Sequence, residues 1–162
     1  AKPASLRGMR IVAGSRKGHG IAAPKGVVTR PTGDRVREAA FSIIGPVEGA
    51  RVLDLFAGSG AMGLEALSRG AAAAVFVEKD REALAALRDE KLRGRRYDLV
   101  LVDAPYEDWE RHEKPLGELL PELLEEGAIA VVETAARTEP QLPLDLVTTR
   151  RYGSARITVF SR

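Results

Sequence analysis

The chain has 162 residues, 44% of them hydrophobic and 30% charged, which suits one soluble globular domain built around a single core. It contains no cysteine and only two histidines, His19 and His112. Disulfides, thiolate metal sites and a Cys nucleophile are therefore excluded, and no metal centre is expected. No apolar run approaches the ~18 residues that span a bilayer, and no signal-peptide core opens the chain, so a cytoplasmic monomer without membrane contact is expected. The net charge of +2 is uneven: residues 1–37 carry nine Lys or Arg against Asp34 alone, leaving −6 on the other 125 residues. A basic arm on a mildly acidic body points to a polyanion partner, because Lys and Arg gain affinity by displacing counterions from phosphates.

In chain order, short apolar runs at residues 9–14 and 20–23 flank the polar stretch from Ser15 to His19 and predict a small hairpin. Val36, Ala39, Ala40, Ile43 and Ile44 then recur at helical spacing, with Asp34, Arg35, Arg37 and Glu38 facing away and Thr32 or Asp34 placed to cap the start. From residue 51 strands and helices alternate. Strands are predicted over residues 51–55, 73–77, 97–102 and 128–133, with helices over 61–69, 81–88 and 116–126. A final hairpin spans 144–151 and 155–160 about Tyr152-Gly153-Ser154. Such alternation predicts an α/β fold: a mostly parallel sheet with helices on both faces and an antiparallel edge.

The stretch "VLDLFAGSGAMGLEAL" sets Gly58, Gly60 and Gly63 between a strand and a helix, a G-x-G-x-x-G spacing. Glycines there bring the backbone close to a ligand at the helix N-terminus. Asp54 would repel a pyrophosphate but accept from an ammonium group, and Glu78, at the next strand tip, can take both hydroxyls of a ribose. S-adenosylmethionine fits this set best, since it carries an ammonium, a carboxylate and a ribose diol. The later "LVDAPY" puts a carboxylate (Asp103), a stiffened turn (Pro105) and a ring (Tyr106) at a strand tip. An amine whose lone pair is delocalised into a base needs acceptors, here Asp103 and the Ala104 carbonyl, and a platform on which the unstacked base lies. It needs no covalent nucleophile.

These residues, with "RIVAGSRKG", "RPTGDRVREAAF", "VFVEKD" and "RRYGSARI", resemble the bacterial small-subunit (16S) rRNA guanine-N2 methyltransferases, the RsmD-like group. The resemblance implies a Rossmann-like class I methyltransferase fold and methyl transfer from S-adenosylmethionine to the N2 amine of a guanine in 16S rRNA or the small ribosomal subunit. It further implies a target-base site at Asp103, Ala104, Pro105 and Tyr106, and a cofactor site at Asp54, Phe56, Ala57, Gly58, Gly60, Glu78 and Lys79. Residues 1–45 would form a basic extension of hairpin and helix whose Arg10, Arg16, Lys17, Arg30, Arg35 and Arg37 meet RNA, and residues 46–162 the methyltransferase domain. The chain departs from the family in having Ala104 where the pattern has Pro and Gly33 where it has Thr or Ser. It also has a short path from Asp80 to Asp98, where the family has a further strand and helix, so a segment between about 88 and 96 is expected to be missing. Three other readings fit parts of the pattern: a DNA adenine-N6 methyltransferase, an NAD-dependent oxidoreductase favoured by the glycine spacing alone, and an RNA-binding module with a vestigial cofactor fold.

Overall fold

The structure, a computed structural model, describes residues 10–21, 33–77 and 94–162. The helix predicted over 81–88, together with Arg30, Thr32, Glu78 and Lys79, lies outside the described residues. Elements follow in the order α1 (Asp34–Ile44), β1 (Arg51–Leu55), α2 (Ala61–Ser68), β2 (Ala73–Val77), β3 (Tyr97–Val102), α3 (Trp109–Leu123), β4 (Leu124–Ala135), β5 (Asp145–Tyr152) and β6 (Ala155–Ser161). One six-stranded sheet runs β2-β1-β3-β4-β6-β5. Strands β1 to β4 are mutually parallel, and β6 lies antiparallel between β4 and β5. This is the mostly parallel sheet with an antiparallel edge that the alternation predicts.

Strand side chains alternate between two faces, and both faces are covered. Leu53, Leu55, Val100, Val102, Ala130 and Val132 pack under Trp109, Leu116, Leu120 and Leu123 of α3. On the opposite face Val52, Leu99, Leu101 and Val131 pack against Phe41 of α1 and Ala66 of α2. A fully buried side chain of this size contributes ~1.5–3 kcal/mol, so each layer outweighs any single local preference within it.

That balance explains where the sequence-based boundaries move. The helix predicted over 116–126 instead begins at Trp109 and ends at Leu123, with Pro115 and Pro121 inside it. Each interior proline costs about 3 kcal/mol. Trp109, His112, Leu116, Leu120 and Leu123 are buried along one face at helical spacing, and together they outweigh both prolines. Strand β4 starts at Leu124 rather than 128, because the chain passes straight from α3 into the sheet and absorbs the residues around Gly127 (φ 77°) as an irregularity between the Tyr97–Leu124 and Leu99–Ile129 pairs. The C-terminal hairpin forms within one residue of the expected limits.

At the N-terminal end, the expected hairpin is reduced, among the described residues, to one antiparallel bridge, Arg10 to Gly20. Asp34 does not cap α1, and the other expected cap, Thr32, lies outside the described residues. Gly33 occupies that position with no side-chain cap, its carbonyl accepting from Arg37 N at 3.0 Å, and Asp34 is the first helical residue.

Candidate active site

Strand β1 delivers the glycine turn to the carboxyl edge of the sheet. Ala57 N donates to the carbonyl of Val77, the last residue of β2, at 2.9 Å, and Gly60 N donates to Ala57 O at 2.7 Å. The turn is thereby tied to the neighbouring strand tip. Within it Phe56 has φ 60° and is the one non-glycine residue with positive φ among those described. That backbone costs ~1–2 kcal/mol. It is held because the Phe56 ring is buried edge-on against His112 of α3, with centroids 4.9 Å apart. The Phe56 ring thus belongs to the core, while Ala57 and Gly58 remain half-buried and Gly60 heads α2.

Gly63 is needed for a different reason. A Cβ there would lie 2.4 Å from a Phe76 ring carbon and 3.0 Å from Asp54 Oδ2, so any side chain at this position would have to displace the Phe76 ring and crowd Asp54. Asp54 is 1% exposed, and its Oδ2 accepts from Gly63 N at 2.9 Å. The expectation that Asp54 directly meets a ligand ammonium changes accordingly: it braces the turn from beneath α2.

Burial pushes the Asp54 carboxyl up to about 7, against the opposing pull of the Gly63 bond. The sign of the resulting pH dependence follows from the unfolded value of 3.8. Between about pH 4 and 7 the folded state keeps a proton that the unfolded chain releases. This contribution to stability is full below pH 4 and is lost as pH rises through 7, amounting to at most about 4 kcal/mol. Asp54→Asn keeps an acceptor for Gly63 N and abolishes the titration. The stability difference between variant and wild type, read from urea melts, should move in favour of the variant by a few kcal/mol from pH 5 to pH 8; a constant difference would show that Asp54 titrates normally.

The second half of the site lies at the tips of β3 and β4. Asp103 follows β3 directly and is half-buried, Ala104 is buried in the core, Pro105 is exposed with φ −52°, and Tyr106 opens a short 3-10 turn through Asp108. Tyr106 Oη donates to Glu133 Oε1 at 3.2 Å. Asp103 and Glu133 line one small, shallow cleft with Met62 of α2, Leu101 and Val102 of β3, Val131 of β4 and Ile157 of β6. The glycine turn and the Asp-Ala-Pro-Tyr tip thus meet at the carboxyl edge of adjacent strands, where open α/β sheets bind ligands. Sequence reasoning missed Glu133. Its signal was an acid closing the apolar run of β4 with the same strand parity as Asp103.

The basic loop, residues 10–21, sits on α2. Glu65, fully buried, accepts from Val12 N at 2.9 Å, Ala13 N at 3.1 Å and Arg69 Nε at 3.1 Å, and lies 3.8 Å from Arg37 Nε. Ser68 adds a bond from its hydroxyl to Ala13 O at 2.6 Å and receives Arg16 N at 2.9 Å. The loop lies so close that a Cβ on Gly14 would fall 1.9 Å from Ser68 O. Ile11 and Ile21 pack with Ala61 and Leu64 of α2 beneath it. Arg10, Arg16, Lys17 and Arg35 are exposed, as an RNA-facing role requires.

Arg37 is not exposed. Its side chain is fully buried, paired with Asp34 at 2.6 Å and bonded to the Arg10 carbonyl. Its assignment to an outward, RNA-contacting face is corrected, because the apolar stripe alone does not reveal that Glu65 and Asp34 supply it with internal partners. Among the described residues, no group of His, Cys, Asp or Glu could hold a metal ion, and no helix is long and apolar enough to cross a membrane.

The parallel sheet with its antiparallel final pair, the glycine turn after β1 and the acidic tip after β3 define a class I methyltransferase fold. The same fold appears in YhhF of Escherichia coli, a solved structure provisionally titled a methyltransferase, with a TM-score of 0.73, 30% identity and coverage of 96% of this chain and 98% of that one. The family model described as "Conserved hypothetical protein 95" matches residues 9–93. YlbH of Bacillus subtilis, whose name assigns it provisionally to rRNA methylation, is 35% identical over 189 aligned positions, 95% of this chain and 99% of the relative. Ribosomal RNA small subunit methyltransferase D of Escherichia coli is 51% identical over 74 residues, 45% of this chain and 37% of the relative. The chain belongs to the RsmD-like family of S-adenosylmethionine-dependent methyltransferases. Because the alignment with YlbH is longer than the 162 residues available, that relative carries residues with no counterpart here.

Proposed function

We propose that this chain transfers a methyl group from S-adenosylmethionine to the exocyclic N2 amine of a guanine in 16S rRNA, acting in the cytoplasm on the free rRNA or the small ribosomal subunit. The observation that carries the reading is the cleft lined by Asp103 and Glu133, with the Tyr106 hydroxyl bonded to Glu133, at the sheet edge to which the adjacent β1 delivers the glycine turn. The names of the relatives, which point to rRNA, support the substrate.

The residues present fit the cofactor. Ala57 and Gly58 offer half-buried backbone in the turn after β1, and Glu78 and Lys79, which follow Val77 in the chain, complete the proposed set. Asp54 contributes through Gly63 rather than by contact. Bound there, S-adenosylmethionine supplies an electrophilic methyl group. Asp103 accepts an N–H of the target amine and the Ala104 carbonyl accepts the other, which favours the pyramidal, more nucleophilic nitrogen and stabilises the positive charge that develops on it. Tyr106 carries the unstacked base on its ring, with its hydroxyl anchored on Glu133. The exposed Arg10, Arg16 and Lys17, whose loop is seated on the helix that lines the cleft, hold RNA phosphates together with Arg30 and Arg35.

The test combines calorimetry with product mapping. S-adenosylhomocysteine should bind and NAD should give no heat. Incubation with S-adenosylmethionine and undermethylated 16S rRNA or small subunits should place one N2-methylguanine, located by mass mapping. Methyl transfer to adenine N6 in DNA instead, or binding of NAD, would replace this reading.

A further inference from the structure

We infer that Glu133 reads the guanine: it accepts the ring N1–H while Asp103 accepts from the N2 amine, so that the two carboxylates recognise a continuous edge of donors. The inference rests on the proposed methyl transfer to guanine N2 and adds to it the residue that selects the base.

Strand register carries the argument. Leu101 pairs with Val131 and Val102 with Val132 across the parallel strands β3 and β4. The next residues are Asp103, directly after the end of β3, and Glu133, within β4, which brings the two to neighbouring strand tips. By strand alternation they share the face of Leu101 and Val131, and all four line the same cleft under Met62. Glu133 is only 6% exposed and is one of the residues lining the cleft, so it is not a solvated strand end.

Tyr106 fixes its orientation. The phenol donates to Oε1 at 3.2 Å, which couples the carboxylate to the ring proposed to carry the base. A carboxylate has two oxygens with about four acceptor sites and, when ionised, nothing to donate, so the Tyr106 bond does not by itself saturate Glu133.

The chemistry of the bases then discriminates. Guanine presents N1–H and the N2 amino group side by side, both donors. Adenine and cytosine set a ring-nitrogen lone pair beside the amine, and a lone pair aimed at a buried carboxylate is repelled. Two neighbouring carboxylates therefore match guanine and reject bases with an acceptor at that ring position. A structural reading, in which Glu133 merely anchors Tyr106, predicts no such discrimination.

The probe that separates them is 2-aminopurine, which keeps the exocyclic 2-amino group but has a lone pair in place of N1–H. Once the methylated position is mapped, 16S rRNA is prepared with either guanine or 2-aminopurine there, and kcat/KM is measured for wild type and Glu133→Gln. Wild type should prefer guanine by ~100-fold or more, as expected when a buried acceptor faces a lone pair. In Glu133→Gln the amide can donate to that lone pair, so the preference should narrow at least ~10-fold through a gain on 2-aminopurine relative to guanine. Unchanged affinity for S-adenosylhomocysteine shows that the variant is folded. An equal loss on both substrates, or no change in their ratio, overturns the assignment. If wild type does not methylate the guanine RNA at all, the proposed function itself fails, and that outcome is visible before any variant is made.

Discussion

Glu65→Ala is expected to destabilise the protein by about 3–5 kcal/mol, the cost of removing one partner from a buried ion pair. The carboxylate is fully buried and receives two backbone amides, Val12 N and Ala13 N, and the guanidinium of Arg69, with Arg37 close by. Truncation leaves those amides without their acceptor, at ~1–3 kcal/mol for each that water does not reach, and leaves the buried Arg37 charge to Asp34 and the Arg10 carbonyl. The effect should also be local. Hydrogen exchange at Val12 and Ala13 should accelerate far more than in the β3–β4 core, because the basic loop loses its main attachment to α2. Glu65→Gln, which retains an oxygen for one amide but loses the charge, should fall between wild type and the alanine variant. A urea melt placing Glu65→Ala within 1 kcal/mol of wild type would mean that water replaces the carboxylate and that the loop is not clamped.

Asp103→Ala is expected to lower kcat by ~100-fold or more, about 2.7 kcal/mol of transition-state stabilisation. Under the proposed mechanism Asp103 accepts from an amine whose positive charge grows as the new bond forms, so the interaction is stronger in the transition state than in the bound substrate. The loss should appear in kcat and kcat/KM together, while affinity for S-adenosylmethionine stays within a few-fold, because Asp103 follows β3 and the proposed cofactor contacts follow β1 and β2. Asp103 is half-buried in a loop whose neighbour Ala104 carries the core packing, so the variant should fold. Turnover near that of wild type would remove Asp103 from the chemistry and leave Glu133 as the acid facing the base.

Local pattern determined much of this protein. Apolar runs bounded by glycine gave β1, β2 and β3 with their observed limits, because a buried parallel strand needs little more than a short run of apolar residues and a turn at its end. The glycine turn and the "DAPY" tip were legible for a related reason: each is a compact sequence string whose residue types answer a local demand, close backbone approach in one case and acceptors beside a ring in the other. Their meeting at one sheet edge follows from parallel topology, which fixes where strand ends lie relative to one another.

Tertiary structure decided what depends on a partner distant in sequence. Arg37 belongs to a helix face that reads as solvated, and its burial is made tolerable by partners that include the Arg10 carbonyl and Glu65, 27 and 28 positions away, beside Asp34 on its own helix. Asp54 reads as a ligand acceptor until α2 folds over it and Gly63 takes its oxygen. Helix α3 runs through two prolines because five side chains find a core on the sheet, an energy that no local propensity contains. Glu133 became visible as a site residue only through register, when β4 aligned beside β3 and set a second carboxylate next to Asp103. Periodicity and motif are properties of neighbouring residues, whereas the burial of a charge is a property of whatever the rest of the chain brings against it.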